Sequence, residues 1–386
     1  MKYYIISGEA SGDLHASNLV KALLRQDAEA QVRAWGGERL RKAGAVVVKD
    51  YKDLAFMGFV EVATHLGTIF SNLSFCIRNI YAFRPDVVVL VDYPGFNLRV
   101  AKRLYNSGIP VFYYISPQVW AWHKSRIRQI RKYVTEMFVI LPFEQDFYAK
   151  QGMKVHYLGH PLLDEVSRYA SDADFCSRNA LEKEKIIALL PGSRSQEIRR
   201  MLPVMAATAR RFPDYTFVIA GVEHHQALYA PYLSEQIKIV YGQTYALLAH
   251  STAALVTSGT ATLETALFGV PQVVCYKGNY FSYVIAKNLI KGIQYISLVN
   301  LIAGKKVVTE LIQQEMNADL LVKELQQLLE DSPTLSRMRE NYRSLSQRLG
   351  DGKASEKIAA CMLRCLHLSV SEKNTNICNK SGKNNI

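Results

Sequence analysis

Short apolar runs rich in Val, Ile and Leu alternate with helical segments along most of this 386-residue chain. Eleven runs are predicted strands, at residues 3–7, 46–48, 86–92, 110–116, 136–141, 155–158, 186–190, 216–220, 237–241, 253–257 and 272–276. Because they are almost continuously apolar, they are typical of parallel strands covered by helices on both faces. Eleven such strands are too many for one domain of average size. The sequence therefore predicts an α/β fold with two Rossmann-like domains facing an interdomain cleft.

The polar, weakly patterned stretch 167–185 is the natural break between the two predicted domains. Residues 1–167 form the first domain and residues 168–368 the second, and the polar tail 369–386 is predicted to be disordered. Distinctive loops follow the strands, beginning at Ser7, Asp92, Ser116, Pro191 and Ser258. Ligands of open α/β sheets bind beyond the carboxyl ends of the strands, so these loops predict one ligand cleft.

Two loops of the second domain indicate a nucleotide diphosphate. The helix start at Ser258-Gly259-Thr260 leaves N–H groups free to bind an anion, and Glu264 one turn later is placed to accept hydrogen bonds from a ribose. In the other loop, Gly192 permits close backbone approach and Arg194 offers a planar, charged fork. An ordinary capped helix and a surface arginine are the structural alternatives.

The first domain offers a carboxylate at a strand end. Asp92 follows a buried strand and is a candidate general base toward a hydroxyl, or else a cap of the following helix. Glu9 and Asp13 compete for the role of base. His160 either touches a phosphate or sugar or stabilises its loop, and the same two interpretations apply to Asn300.

The net charge of +13 favours anionic partners. The densest basic run, residues 123–132, has helical spacing and predicts a phosphate or lipid role, since no nucleic-acid module accompanies it. The apolar region Phe56–Ile77 is either buried core or a surface that meets lipid. Six cysteines without a Cys-x-x-Cys pair predict reduced thiols, with no zinc site or disulfide framework. Neither a signal peptide nor a membrane-spanning run is predicted, which favours the cytosol.

Seven motifs together resemble the lipid-A-disaccharide synthase family, which belongs to glycosyltransferase family 19. They are Ser7-Gly8-Glu9-Ala10-Ser11-Gly12-Asp13, Val91-Asp92-Tyr93-Pro94-Gly95-Phe96-Asn97, Ser116-Pro117-Gln118-Val119-Trp120-Ala121-Trp122, Leu141-Pro142-Phe143-Glu144, Gly159-His160-Pro161-Leu162, Leu190-Pro191-Gly192-Ser193-Arg194 and Ser258-Gly259-Thr260-Ala261-Thr262-Leu263-Glu264. The resemblance implies an inverting GT-B glycosyltransferase. It would transfer 2,3-diacylglucosamine from UDP to the 6-hydroxyl of 2,3-diacylglucosamine 1-phosphate, giving the lipid A disaccharide 1-phosphate and UDP.

The resemblance also assigns site residues. The catalytic candidates are Asp92 and Glu9. The UDP-sugar candidates are Gly192, Ser193, Arg194, Ser258, Gly259, Thr260, Glu264 and Asn300, and the acceptor candidates are Ser11, Asp13, Asn97, Ser116, Trp120 and His160. Two positions depart from the family pattern, Gly95 in place of a frequent second Asp and Val299 in place of a frequent Pro.

The implied partners are the two acylated sugars and an anionic membrane surface, without a cofactor, a metal or a nucleic acid. The implied location is the cytoplasm, peripheral on the cytoplasmic face of the inner membrane. The final helices would pack back on the first domain or exchange within a homodimer. Two other interpretations remain: another nucleotide-sugar enzyme, such as a UDP-N-acetylglucosamine 2-epimerase, and an RNA-binding module with salt-dependent affinity.

Overall fold

The computed structural model describes residues 1–54, 66–117, 119–120, 126–181, 185–278, 294–330 and 332–381. Within these ranges the strands are β1 Lys2–Ser7, β2 Gln31–Gly36, β3 Val46–Asp50, β4 Val87–Val91, β5 Val111–Tyr114, β6 Glu136–Val139, β7 His156–Tyr157, β8 Ile186–Leu190, β9 Thr216–Gly221, β10 Ile237–Tyr241, β11 Ala253–Thr257, β12 Gln272–Tyr276 and β13 Thr309–Ile312. The chain divides into unit 1, Met1–Asp164 with Gly350–Ile386, and unit 2, Glu165–Leu349.

The α-helices in the same ranges connect these strands. They are α1 Ala10–Gln26, α2 Glu38–Lys42, α3 Leu66–Phe83, α4 Pro94–Leu104, α5 Arg126–Tyr133, α6 Glu144–Ala149, α7 Pro161–Arg168, α8 Phe175–Arg178, α9 Ser195–Ala209, α10 Gln226–Tyr229, α11 Thr244–Ala249, α12 Thr260–Leu267, α13 Leu298–Ala303, α14 Ala318–Leu329, α15 Pro333–Leu349 and α16 Ala354–Ser381. Among the described residues, no helix is both long enough and apolar enough to cross a membrane.

Unit 1 is built on a parallel sheet of seven strands in the order β3-β2-β1-β4-β5-β6-β7. Side chains alternate between its faces, so Tyr3 and Ile5 of β1 enter one core and Tyr4 and Ile6 enter the other. Helices α1, α2 and α16 cover the first face, and α3, α4 and α5 cover the second. All four of these β1 side chains are fully buried, as expected for a sheet covered on both sides.

Unit 2 is built on a parallel sheet of six strands in the order β10-β9-β8-β11-β12-β13. Helices α8 and α11 supply one of its cores, and α14 packs against α9 and β12. The strand order reverses between β8 and β11, as it does between β1 and β4 in unit 1. Ligands of doubly wound sheets bind where the order reverses, so each unit has one expected binding edge.

Two strands, β2 and β13, are absent from the sequence-based prediction. Charged residues interrupt both, Arg33 in β2 and Glu310 in β13, so neither forms a continuous apolar run. Their place in the sheets comes from tertiary pairing: β2 lies between β1 and β3, with Trp35 fully buried, and β13 pairs with β12. Propensity is a weak guide for such segments, because the neighbouring strands decide the pairing.

The last helix, α16, lies in the segment that the family resemblance expects to pack back on the first domain or to exchange within a dimer. It continues to Ser381, into the stretch 369–386 for which the sequence predicts disorder, and no glycine or proline interrupts the chain between Ala354 and Gly382. Its buried residues Ile358, Met362 and Leu366 share a core with α1, so the segment after Gly350 belongs to unit 1 rather than to the second domain.

The Asp164 carboxylate is one of the groups that join the two parts of unit 1. Asp164, fully buried at the end of the first part, accepts hydrogen bonds at 2.8 Å from the backbone N–H groups of Ala354 and Ser355. These are first-turn N–H groups of α16, so Asp164 satisfies donors that the helix itself leaves unpaired. The cap fixes where the returning chain enters unit 1.

Candidate active site

The end of β4 carries an unusual backbone. Asp92 and Tyr93 both have φ of 46°, in the left-handed region that residues with a side chain seldom adopt. The Tyr113 hydroxyl and the Asn97 amide donate to the Asp92 carbonyl oxygen at 2.6 and 2.7 Å, which holds this conformation. The Tyr93 ring lies against Gly8, where a Cβ atom would come within 2.4 Å of ring carbons. Backbone held in a sparsely populated region is typical of functional sites.

The Asp92 carboxyl group has the properties of a general base. It lies half-buried at the point where the strand order of unit 1 reverses. Burial, and then the negative charge of Glu9, raise the pKa of Asp92 to about 6. Glu9 itself is exposed at the N-cap of α1. A carboxyl group with a pKa near 6 is still ionised at neutral pH and is more basic than an ordinary aspartate.

Asp13, the third carboxylate of this region, has a structural role. It is buried, and its two oxygens accept hydrogen bonds from the backbone N–H groups of Gly37 at 2.6 Å and Arg39 at 3.1 Å. These bonds cap the start of α2. Asp13 is thus engaged within the protein and its predicted contact with the acceptor stays a prediction, whereas Ser11 of the same motif is exposed on the first turn of α1.

Two further predicted acceptor residues lie inside the protein. Asn97 is fully buried, and its amide donates to the carbonyl oxygens of Val91 and Asp92. Ser116 is buried and donates to the Glu144 carboxylate at 2.6 Å. Burial raises the pKa of Glu144, which also accepts from backbone N–H groups of its own loop. Asn97 and Ser116 thus support strand-end loops, and their predicted contact with the acceptor stays a prediction.

His160 and Trp120 complete the predicted acceptor set. His160 is buried, its Nδ1 accepts from the Leu162 N–H at 3.1 Å, and burial lowers its pKa to about 3. The Nδ1 contact stabilises the loop, and the predicted contact of His160 with a phosphate or sugar stays a prediction. Trp120 is half-buried and packs edge-on against Phe143, with ring centroids 5.0 Å apart. Of this pair, Trp120 alone presents surface to a ligand.

In unit 2, the start of α12 has the expected geometry. Gly259 and Thr260 are exposed at the carboxyl end of β11, and the Ser258 hydroxyl donates to the Ile296 carbonyl at 3.0 Å. The first N–H groups of a helix have no acceptor within it, so they are open to water or to an anion. Glu264 lies one turn further on, half-buried, and accepts from the Tyr245 hydroxyl at 3.2 Å. Burial raises the pKa of Glu264.

In the Arg194 loop, the Glu197 carboxylate takes up some of the groups that are predicted to bind the diphosphate. Glu197 accepts from the N–H groups of Ser193 at 3.1 Å and Arg194 at 3.3 Å, and its other oxygen lies 3.0 Å from the Arg194 guanidinium. Gly192, with φ of 104°, makes room for Glu197, because a Cβ atom there would lie 2.5 Å from its oxygen. The Ser193 N–H is thus engaged within the protein. The Arg194 side chain is 73% exposed, and such surface ion pairs are weak enough to be exchanged for a ligand.

The Asn300 side chain is engaged in hydrogen bonds within its own loop. It is fully buried, its amide donates to Val308 and Glu310 at 2.9 Å, and its oxygen accepts from the N–H groups of Val307 and Val308. All of its polar atoms have partners within the protein, and its predicted contact with a ligand stays a prediction. Glu310 also accepts from the Ile296 N–H, and the Ile296 carbonyl accepts from Ser258. Asn300 therefore supports the nucleotide loop indirectly.

Two residues near these sites were not singled out from the sequence. His225 follows β9 and lies against the backbone of Ser193, and its pKa is lowered by burial and by His224. Arg126 is half-buried at the start of α5, and its charge counteracts the rise in the pKa of Tyr113 caused by burial and Asp92. A strand-end position marks His225 in the sequence. Arg126 belongs to the basic run 123–132, and the sequence pattern does not distinguish it from the other arginines there.

Solved structures confirm the two-domain α/β GT-B fold. The MnaA protein of S. aureus, solved with UDP, superposes with a TM-score of 0.68 at 15% identity, covering 95% of this chain and 97% of that one. The UDP-GlcNAc 2-epimerase of Neisseria meningitidis, bound to UDP-GlcNAc, gives a TM-score of 0.66 at 15% identity, covering 94% and 100%. At this level of identity the likeness establishes the fold alone.

Sequence comparison identifies the family. The model of the lipid-A-disaccharide synthetase family matches residues 3–362. The lipid-A-disaccharide synthase of Geobacter metallireducens is 38% identical over 371 residues, covering 94% of this chain and 96% of the relative. That of Syntrophus aciditrophicus is 39% identical over 375 residues, covering 95% and 98%. The chain is thus a glycosyltransferase of lipid A biosynthesis, and it belongs to the lipid-A-disaccharide synthase family.

Proposed function

We propose that the enzyme transfers 2,3-diacylglucosamine from its UDP conjugate to the 6-hydroxyl of 2,3-diacylglucosamine 1-phosphate, with inversion at the anomeric carbon. The main support for the proposal is that the two units hold different chemical groups. Unit 1 holds a half-buried carboxyl group with a pKa of about 6 at its sheet reversal. Where its own strand order reverses, unit 2 holds the start of α12 and the Glu264 carboxylate, which we expect to accept hydrogen bonds from the ribose. A base and a nucleotide site are the two requirements of such a transfer.

In this mechanism Asp92 accepts the proton of the acceptor hydroxyl as its oxygen attacks the anomeric carbon. The bond from that carbon to the UDP oxygen breaks on the opposite face, and its electron pair leaves on the β-phosphate. A single displacement of this kind inverts the configuration. The N–H groups at the start of α12 and the Arg194 guanidinium stabilise the charge that develops on the phosphate.

Donor binding is tested in Arg194→Ala and Glu264→Ala. Each variant should bind UDP roughly 10- to 100-fold more weakly, because each loses a hydrogen bond that involves a charged group. Isothermal titration of UDP measures the change. Arg210→Ala, which removes an exposed arginine at the end of α9, is the matched control and should bind as the wild type does. Unchanged affinity in both site variants would remove the nucleotide site from α12 and the Arg194 loop.

The acylated acceptor requires the enzyme to reach a membrane, and unit 1 offers a surface for this. Helices α3 and α5 flank α4 on the same face of the sheet. The outer side of α3 exposes Phe70 and Tyr81, and α5 exposes Arg128. Within the predicted lipid-facing region, Ile69 and Leu73 are buried core. Residues Phe56, Phe59 and Lys124 of the predicted surface lie outside the described residues.

We propose that this surface of α3 and α5 docks on the anionic cytoplasmic face of the inner membrane. Arg128→Glu should reduce co-sedimentation with anionic vesicles several-fold at low salt and less at high salt, since an exposed charge contributes about 1 kcal/mol and is screened. Phe70→Ser, which removes a 58% exposed ring, should reduce binding at any salt concentration. Lys21→Glu on α1, across the sheet, and Val46→Ser on β3 are the matched controls. Equal losses in the controls would contradict the docking surface.

The reaction itself is tested by incubating the enzyme with the UDP-diacylglucosamine donor and the diacylglucosamine 1-phosphate acceptor. Mass spectrometry should detect the tetraacyl disaccharide 1-phosphate together with an equal amount of UDP. Proton NMR of the product should show the β configuration if the α-linked donor is inverted. Release of UDP without the disaccharide, or a product of retained configuration, would contradict the proposed transfer.

A further inference from the structure

The fold brings together a histidine and two cysteines that are remote from it in the sequence. Cys361 and Cys365 lie one turn apart on α16, and His156 begins β7, the edge strand of the unit 1 sheet. Their ligand atoms, the two Sγ atoms and a ring nitrogen, all lie within 4.8 Å of one another. The spacing of cysteines in the sequence predicts no zinc site, because it takes no account of contacts between α16 and β7.

The histidine is oriented by two neighbours. Its Nε2 lies 2.7 Å from the Glu136 carboxylate of β6, and its ring stacks on Phe138 with centroids 5.0 Å apart. These contacts leave Nδ1 aimed at Cys361, whose Sγ is 3.7 Å away. A carboxylate on the far nitrogen of a histidine is the usual second partner of a metal-ligating imidazole, since it fixes the tautomer and raises the basicity of the ring.

We propose that His156 Nδ1, Cys361 Sγ and Cys365 Sγ bind one zinc ion. Zinc binds sulfur at about 2.3 Å and histidine nitrogen at about 2.0 Å, so a tetrahedral ion separates two such ligands by about 3.6 Å. The sulfur–nitrogen distance of 3.7 Å between Cys361 and His156 already matches that geometry. Two thiolates and one imidazole are a donor set that favours zinc over calcium or magnesium.

The surroundings suit an ion with one open coordination position. Cys361 is buried, while Cys365 and His156 are half-buried, so the group is reachable from solvent. Each thiol releases its proton to solvent as its sulfur binds the metal. The bound ion would cross-link the C-terminal helix to the edge strand, and so it would stabilise the packing of α16 on unit 1.

Cobalt is the spectroscopic probe for this site. Metal-free, reduced full-length protein titrated with Co²⁺ should develop thiolate-to-cobalt charge-transfer bands and tetrahedral visible bands that saturate at one equivalent, and Zn²⁺ should abolish them. Cys361→Ser and Cys365→Ser should each lose the charge-transfer signal or weaken metal binding at least 10-fold. Glu136→Gln should weaken it roughly 10- to 100-fold through His156. Cys76→Ala, at a buried cysteine of the same unit, should bind as the wild type does.

Wild-type protein gives a second measurement if a serine variant does not fold. Alkylation followed by peptide mass spectrometry should label Cys365 in metal-free protein and spare it when Zn²⁺ is present. An absent cobalt spectrum in the wild type, or an unchanged one in the double serine variant, overturns the proposal. The proposal is also overturned if neither cysteine is labelled in the absence of zinc, as would happen if the two formed a disulfide.

Discussion

Asp92→Asn should lower kcat by about 10²- to 10⁴-fold, the usual contribution of a general base. Asparagine tolerates the left-handed backbone at this position, so the φ of 46° should be retained. UDP affinity should not change, because the nucleotide residues belong to unit 2. Initial-rate kinetics with both substrates, together with UDP titration, separate the two effects. A drop of only a few-fold in kcat would exclude Asp92 as the base.

The pH profile distinguishes Asp92 from Glu9. A base must be ionised, so kcat/KM should rise with pH through about 6, the pKa to which burial and Glu9 raise the Asp92 carboxyl group. Glu9→Gln removes a negative charge that opposes ionisation of Asp92, so the rise should move to lower pH while activity at neutral pH largely persists. If Glu9 were the base, Glu9→Gln would abolish transfer and Asp92→Asn would spare it.

Asn300→Ala should destabilise unit 2 by at least about 3 kcal/mol. The substitution leaves the N–H groups of Val307 and Val308 without their acceptor and removes two hydrogen bonds donated by the amide, and each unpaired buried group costs about 1–3 kcal/mol. Urea unfolding followed by circular dichroism measures the change. UDP affinity should fall as well, because the Ser258 loop is held through Ile296 and Glu310.

Asn341→Ala is the matched control for this prediction. Asn341 is a half-buried asparagine of α15 in the same unit, and its replacement should change stability by less than about 1 kcal/mol. A direct ligand role for Asn300 predicts the opposite result, weaker UDP binding with unchanged stability. That outcome would contradict the loop-anchoring role assigned from its hydrogen bonds.

The sequence located the carboxyl ends of several strands, because recognisable loops follow them. Asp92, Ser258 and Glu264 were predicted from position alone, and the structure places each at a carboxyl end or within the first turns of the following helix. Such positions follow from the chain path of parallel strands and helices, which apolar periodicity reveals. The direction in which each side chain points does not follow from periodicity.

For that reason, the sequence does not say which polar residues of these loops pair with the backbone. Asn97, Asn300 and Asp13 have the same chemistry as ligand-binding residues, yet their hydrogen bonds satisfy buried backbone groups. A strand-end loop contains many N–H and C=O groups that must be paired when water is excluded. Whether an asparagine pairs those groups or a ligand depends on contacts that form only on folding.

The sequence alone determined the family and the two-domain α/β class, because both follow from local pattern and motif order. The tertiary structure decided which polar residues support the loops. It also showed that α16 returns to unit 1, and that Cys361 and Cys365 meet His156. Each of these features depends on contacts between residues far apart in the chain. Local spacing carries no information on such contacts, which are fixed when buried surfaces and hydrogen-bonding groups find their partners.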